Sequence, residues 1–281
     1  MAIAAPPREF ILTDRDFTDI AKLVHDIAGI FLAPSKRQLV YTRLSKRLRI
    51  LGLYSFRDYI DRLEGPDGDD ELSFLLNAIT TNLTSFFREV HHFDHMRGEL
   101  GSRLKGGSVR RLRIWSSACS TGEEPYSIAI TLARTGIHKR AIDAKILATD
   151  IDTNVLARAR AATYPLEAFK TMTSSEIRDF TVETGRGDAG GERRIAPDVA
   201  RLVHCKQLNL MHDWPMTGPF DFIFCRNVLI YFDAPTKAML IGKFTDLLAE
   251  GGYLYLGHSE SLVQQHPGLR LIGRTTYRRM N

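Results

Sequence analysis

The stretch SSACSTGEEPYSIAI, Ser116–Ile130, decides how this chain folds. It follows a strand-like run, RLRIWS, turns on its only glycine, Gly122, and enters a helical pattern, EPYSIAITLART, in which Pro125 suits a first turn because its missing N–H bonds nothing there. The same alternation continues outward. AKILATD reads as a strand and TNVLARARAA as a helix; later come FDFIFCRN as a strand, PTKAMLIGKFTDLLAEGG as a helix closed by glycine, and YLYLGHS as a strand. Such alternation predicts a mostly parallel sheet covered on both faces, with ligands beyond the carboxyl ends of its strands. Ahead of it, residues 14 to about 104 read as consecutive helices, with apolar positions at helical spacing broken by Ala33-Pro34 and the loop GPDGDD.

A chain of 281 residues that is 44% hydrophobic and 25% charged can bury a sizeable core, so the expectation is a globular protein. The opening MAIAAPPREF lacks the basic then apolar run of a signal peptide, and no apolar stretch approaches the roughly 20 residues of a membrane span. The expectation is a cytoplasmic protein without membrane insertion. Cys119, Cys205 and Cys225 are odd in number and contain no C-x-x-C pair, which points to reduced thiols rather than a disulfide framework or a zinc site. A net charge of +5 favours an acidic partner without choosing among nucleic acid, anionic lipid and an acidic protein surface.

The quoted turn suggests the ligand. Small residues at Ser116, Ser117, Ala118, Cys119, Ser120 and Gly122 let a ligand approach the backbone closely. The spacing is not G-x-G-x-x-G, and Glu123 and Glu124 at the helix start would repel a pyrophosphate. The next strand ends in Asp150, where a carboxylate can accept hydrogen bonds from ribose hydroxyls, whereas Asp152 reads as the cap of the following helix. A cationic nucleoside without phosphate fits both acids. S-adenosylmethionine is such a ligand, and Glu124 or a neighbour can face its sulfonium or amino group.

Five blocks, NLTSFFRE (82–89), WSSACSTGEEPYSIAI (115–130), ATDIDTNVLARAR (148–160), GPFDFIFCRNVLIYF (218–232) and GGYLYLGHSESL (251–262), together resemble the chemotaxis receptor methyltransferases of the CheR family. The resemblance runs over nearly the whole chain in the right order. It implies a helical N-terminal substrate-recognition domain over 1–82 and a Rossmann-like, α/β, S-adenosylmethionine-binding domain over 83–281, with an antiparallel β-insertion at about 180–206. It also implies a monomeric cytoplasmic enzyme that methylates glutamate side chains on chemoreceptor signalling helices. By the same resemblance the cofactor meets Asn82, Thr84, Arg88, Glu124 and Asp150, with Asn209, Leu210, Arg226 and Asn227 filling the remaining positions. Arg88 and Tyr231 are the candidates for orienting the reacting groups, and Tyr231 reads equally as an aromatic core residue.

The chemistry needs few residues. A glutamate side chain with a pKa of about 4.3 is already anionic at neutral pH, so no general base is required and positioning dominates. No metal is needed either, and His91 and His95 in HHFDH, one helical turn apart, lack a further ligand set. Cys119 and Cys225 read as buried thiols rather than a redox pair. A nucleic-acid methyltransferase would explain the basic charge, but the chain shows CRNVLIYF where an N-P-P-Y-like motif would stand; a non-catalytic adaptor of the same fold is the other alternative. Thr184–Cys205, with four glycines, reads as a β-hairpin whose edge can accept a receptor C-terminal peptide. The helix KRQLVYTRLSKRLRILG carries Lys36, Arg37, Arg43, Lys46, Arg47 and Arg49, and its face of Arg43, Lys46 and Arg47 is the expected docking surface for acidic receptor helices.

Overall fold

The computed structural model describes residues 9–66, 68–107, 109–185, 191–261 and 266–280. The chain forms two compact units: one runs to Thr81 and takes in Tyr231–Asp233, the other holds Asn82–Ile230 and Ala234 onward.

The first unit is helical. Helix α1 (Asp14–Ala28) starts in a capping box, the Thr13 hydroxyl accepting from the Asp16 N–H while the Asp16 carboxylate accepts from Thr13, and it ends at Gly29. Helices α2 (Arg37–Leu51), α3 (Phe56–Leu63) and α4 (Gly68–Ile79) follow. Leu44 and Leu48 of α2, Phe56 and Tyr59 of α3 and Leu75 of α4 are buried together with Ile20 and Val24 of α1. Polar bonds lock these helices. Arg57 of α3 reaches Asp16 (3.0 Å) and Asp19 (2.5 Å) of α1.

The expected open basic face on α2 is corrected here. Arg47 donates from Nε (2.8 Å) and Nη2 (2.6 Å) to the buried Glu71 of α4, which also accepts from the Tyr59 hydroxyl (2.9 Å). Arg43 donates to the carbonyls of Ala78, Ile79 and Thr80, the last turn of α4 and the residue after it, where unpaired carbonyls attract a cation. Arg37 pairs with Asp14, and Arg49 with Glu9. Lys36, the residue before α2, and Lys46 within it are exposed, as is the Arg49 that pairs with Glu9. Helical spacing put Arg43 and Arg47 on one face correctly; it could not say that α4 covers that face.

The second unit begins with α5 (His91–Lys105) and then alternates: β1 (Arg111–Ser116), α6 (Glu123–Arg134), β2 (Asp143–Asp150), α7 (Thr153–Ala161), β3 (Thr163–Pro165), α8 (Ser174–Phe180), β4 (Thr181–Glu183), β5 (Glu192–Ile195), α9 (Pro197–Ala200), β6 (Val203–Gln207), β7 (Phe220–Cys225), α10 (Ala234–Leu247), β8 (Leu248–Leu256), β9 (Leu269–Gly273) and β10 (Thr276–Arg279). The seven-stranded sheet has the order β6-β2-β1-β7-β8-β10-β9. β6, β2, β1, β7 and β8 are parallel, and β10 runs antiparallel to both β8 and β9. The central strands Ile114, Ile146, Phe222, Phe224 and Leu254 are wholly buried, as a sheet covered on both faces requires. The buried Trp115 indole also donates to Thr149 Oγ1 (2.9 Å), stitching β1 to β2.

Two readings of the later chain are revised. α10 is not closed by glycine: β8 follows it at Leu248, and Gly251, at φ 68°, sits within the strand where its pairing with β7 shifts register. The insertion forms a separate antiparallel sheet of order β3-β5-β4, so it begins at Thr163 and ends at Ile195. Val203–Cys205, read as the end of the hairpin, belongs to β6, which pairs in parallel with β2 at the edge of the main sheet. Alternation of period two does not tell which sheet a strand will join. The hairpin tip, 186–190, lies outside the described residues.

Candidate active site

Ser116, Asp150 and Cys225 end the adjacent parallel strands β1, β2 and β7, so the segments beyond them share one edge of the sheet. After β1 the backbone enters left-handed conformations at Ser120 (φ 49°) and Gly122 (φ 103°). A Cβ at Gly122 would stand 2.5 Å from the Tyr164 hydroxyl and 3.0 Å from the Ala159 Cα. This glycine therefore lets the start of α6 pack on α7 and β3, rather than giving room to a ligand.

Asp150 is buried. Its Oδ2 accepts from the Ser120 N–H (2.8 Å) and its Oδ1 from the Asp152 N–H (3.0 Å), which fixes the carboxylate while leaving lone pairs on both oxygens. Burial raises its pKa above the ordinary carboxylate value, against the pull of those two amides. Asp152 caps α7, accepting from Asn154 (2.8 Å) and Val155 (3.3 Å), and it also accepts from Asn82 Nδ2 (2.8 Å). The Asn82 carbonyl in turn accepts from the Ser120 hydroxyl (3.1 Å). The start of NLTSFFRE is thus tied to the loops after both β1 and β2. Within that segment Thr84 is partly exposed, and Arg88 is partly exposed with Nη1 donating to the Leu83 carbonyl (2.8 Å).

Beneath lies a buried ion network. Glu124 Oε1 accepts from the Ser116 hydroxyl (2.7 Å), and its Oε2 from Arg226 Nη1 (2.9 Å). Arg226 Nη2 donates to the Arg88 carbonyl (2.5 Å) and lies 3.4 Å from Glu89 Oε2, while the guanidinium stands over the Phe93 ring. Burial lifts the Glu124 pKa although Arg226 and Ser116 pull it down. With its Nη atoms committed to protein groups, Arg226 holds Glu124 and the backbone of Arg88 in place. Glu89, His91 and His92 bring three ligand-type atoms within 4.8 Å of one another. A guanidinium already faces that carboxylate, which disfavours a second cation there. His92 Nε2 lies 3.2 Å from the Arg274 carbonyl, and His95 Nδ1 lies 2.9 Å from the Tyr255 hydroxyl.

The remaining candidates are distributed as follows. Asn209 Oδ1 accepts from the Met211 N–H (3.0 Å), and Leu210 beside it is buried. Asn227 is left-handed (φ 58°), its N–H donating to Glu260 Oε2 (2.7 Å). Tyr231 belongs to the helical unit: its hydroxyl donates to the Thr81 carbonyl (3.2 Å), its own carbonyl accepts from Phe31, and the ring is only partly buried, so it is not a core aromatic. Cys119 and Cys225 are free and buried, and burial pushes both thiols well up, away from the thiolate form. Cys119 packs with Ala148, Leu156 and Cys205. Sequence reasoning took Ser120 only as a small residue beside the ligand and passed over Glu89 and Glu260. The last two sat inside quoted blocks, but a lone acid beside a turn reads as a cap until its partners are seen.

The donor set suits S-adenosylmethionine. A fixed, buried carboxylate with spare lone pairs at the end of β2 meets the needs of a ribose diol, and the two acids at the start of α6 disfavour a phosphorylated ligand there. Comparison with known proteins agrees. Residues 82–278 match the CheR methyltransferase S-adenosylmethionine-binding domain, and residues 15–80 match the CheR methyltransferase all-alpha domain. The chain is 43% identical to the chemotaxis protein methyltransferase of Klebsiella aerogenes, covering 98% of this chain and 93% of that one. It is 44% identical to chemotaxis protein methyltransferase 2 of Pseudomonas aeruginosa (96% and 95% covered) and 42% identical to the Escherichia coli chemotaxis protein methyltransferase (95% and 91% covered).

Proposed function

Since the chain belongs to the CheR methyltransferase family and takes S-adenosylmethionine as its cofactor, we propose that it methylates glutamate side chains of chemoreceptor signalling helices. The observation that carries this reading is the full-length match to chemotaxis methyltransferases, which spans the all-helical unit as well as the cofactor unit.

When bound, the cofactor supplies an electrophilic methyl on a sulfonium. Asp150 would hold the ribose hydroxyls, and the segment Asn82–Arg88 is tied to the neighbouring loops through Ser120, Asp152 and Arg226. The acceptor glutamate is ionised at neutral pH; one carboxylate oxygen would take the methyl as its bond to the sulfonium sulfur breaks, leaving the neutral thioether S-adenosylhomocysteine, and no proton moves, so the site needs no general base. Arg88 orients that carboxylate through a charge-assisted hydrogen bond. Charge is lost as the ester forms, so a site that excludes water favours the step. Lys36, just before α2, and Lys46, on it, are exposed and supply the positive charge that meets the acidic receptor helix. Peptide mapping of a receptor cytoplasmic fragment after incubation with enzyme and cofactor tests the assignment. Methyl groups on glutamates that mild alkali removes support it; methyl groups only on nitrogen atoms overturn it.

A further inference from the structure

Glu260, in the run GHSE after β8, is 6% exposed and collects backbone amides from two loops. Its Oε2 accepts from the N–H groups of Asn227 (2.7 Å) and Gly257 (2.7 Å), and its Oε1 from that of Ile230 (3.2 Å). The two loops leave the carboxyl ends of neighbouring parallel strands, Cys225 of β7 pairing with Leu256 of β8. The first loop is Arg226–Asn227, and Asn227 stands in a left-handed conformation, φ 58°, which asparagine adopts more readily than most residues and which the bond from its N–H to Glu260 fixes. Gly257 makes the close approach possible. A Cβ there would lie 2.5 Å from Glu260 Oε2, 2.6 Å from Asn227 Nδ2 and 2.8 Å from the Asn227 N.

We propose that Glu260 is a positioning residue of the cofactor site: its carboxylate, seated against Gly257, holds Asn227 in the left-handed conformation and so sets where the Asn227 side chain meets the cofactor. The proposal rests on the reading of Arg226–Asn227 as a cofactor-facing loop. An acid is required because every group around it donates; a glutamine would turn its NH2 toward amides that also donate.

Calorimetric affinity for S-adenosylhomocysteine, with a thermal melt of each protein, tests this on Glu260→Gln, Asn227→Ala and the double variant. Each single change weakens binding by about tenfold or more, the scale of a lost bond to a charged group. The double variant binds no more weakly than the worse single one, because Glu260 acts through Asn227. A Glu260→Gln protein that melts lower but binds normally, or losses that simply add, overturn the positioning role. If Glu260→Gln does not fold, Gly257→Ala takes its place, pushing the carboxylate off the Asn227 amide; unchanged affinity there overturns the role equally. Normal affinity in Asn227→Ala removes the cofactor-facing reading of the loop and this proposal with it, whereas weakened Asn227→Ala beside normal Glu260→Gln removes only the proposal.

Discussion

Removing the Asp150 carboxylate takes away the acceptor for a hydroxyl pair, but it also strands the amides of Ser120 and Asp152. Asp150→Asn keeps one acceptor oxygen but turns its NH2 toward the other amide, so it is measured beside Asp150→Ala. Both are expected to weaken S-adenosylhomocysteine binding by about 1 to 3 kcal/mol, with calorimetry as the check and unchanged affinity in a folded variant as the contrary result. His92 gives a pH test. It is wholly buried, and burial, helped by Arg226 and His91, lowers its pKa to about 3. Between about pH 6.5 and pH 3 the unfolded chain binds a proton that the folded chain refuses, so stability is full above the unfolded value and falls as pH drops through this window. From pH 7 to pH 5 the loss is about 2 kcal/mol. Urea unfolding of His92→Gln at both pH values should lack that part of the slope; equal slopes would show that His92 takes up its proton in the fold. At this scale the sequence disclosed identities rather than partners: Asp150 and Glu124 could be named from their places after strands, yet nothing local showed that Arg226 would be spent on Glu124 and Arg88.

Helix α2 separates the charges that hold the fold from those left for a partner. Arg47 forks onto Glu71, whose side chain is 4% exposed, so Arg47→Ala leaves an anion buried without its cation and should cost about 3 kcal/mol in a denaturant melt. Lys36→Glu with Lys46→Glu should leave the melt nearly unchanged while raising the receptor KM at low salt and flattening its salt dependence. If the Arg47 variant is as stable as the parent, the ion pair is not structural; if the lysine variant keeps its KM, α2 does not meet the receptor. The element pattern was legible where periodicity is strong, as in α1, α6 and β1. It failed at Leu248, where β8 follows α10 without a turn, and at Val203, because alternation marks a strand without naming its neighbour. Those outcomes depend on contacts far along the chain.

For the molecule as a whole, the sequence-derived expectation of a helical unit ahead of an α/β methyltransferase fold agrees with the match of each part to its CheR domain, and no helix among the described residues is long and apolar enough to cross a membrane. The net charge of +5 left nucleic acid, anionic lipid and acidic protein open as partners, and the proposed function takes a protein carboxylate as acceptor. The direct measurement is transfer of a radiolabelled methyl group from S-adenosylmethionine, offered in parallel to a receptor cytoplasmic fragment, to RNA and to DNA. The account predicts label on the receptor fragment alone, released as methanol by mild alkali as a glutamate methyl ester requires. Label on nucleic acid, alkali-stable label on the fragment, or no label on the fragment would contradict it.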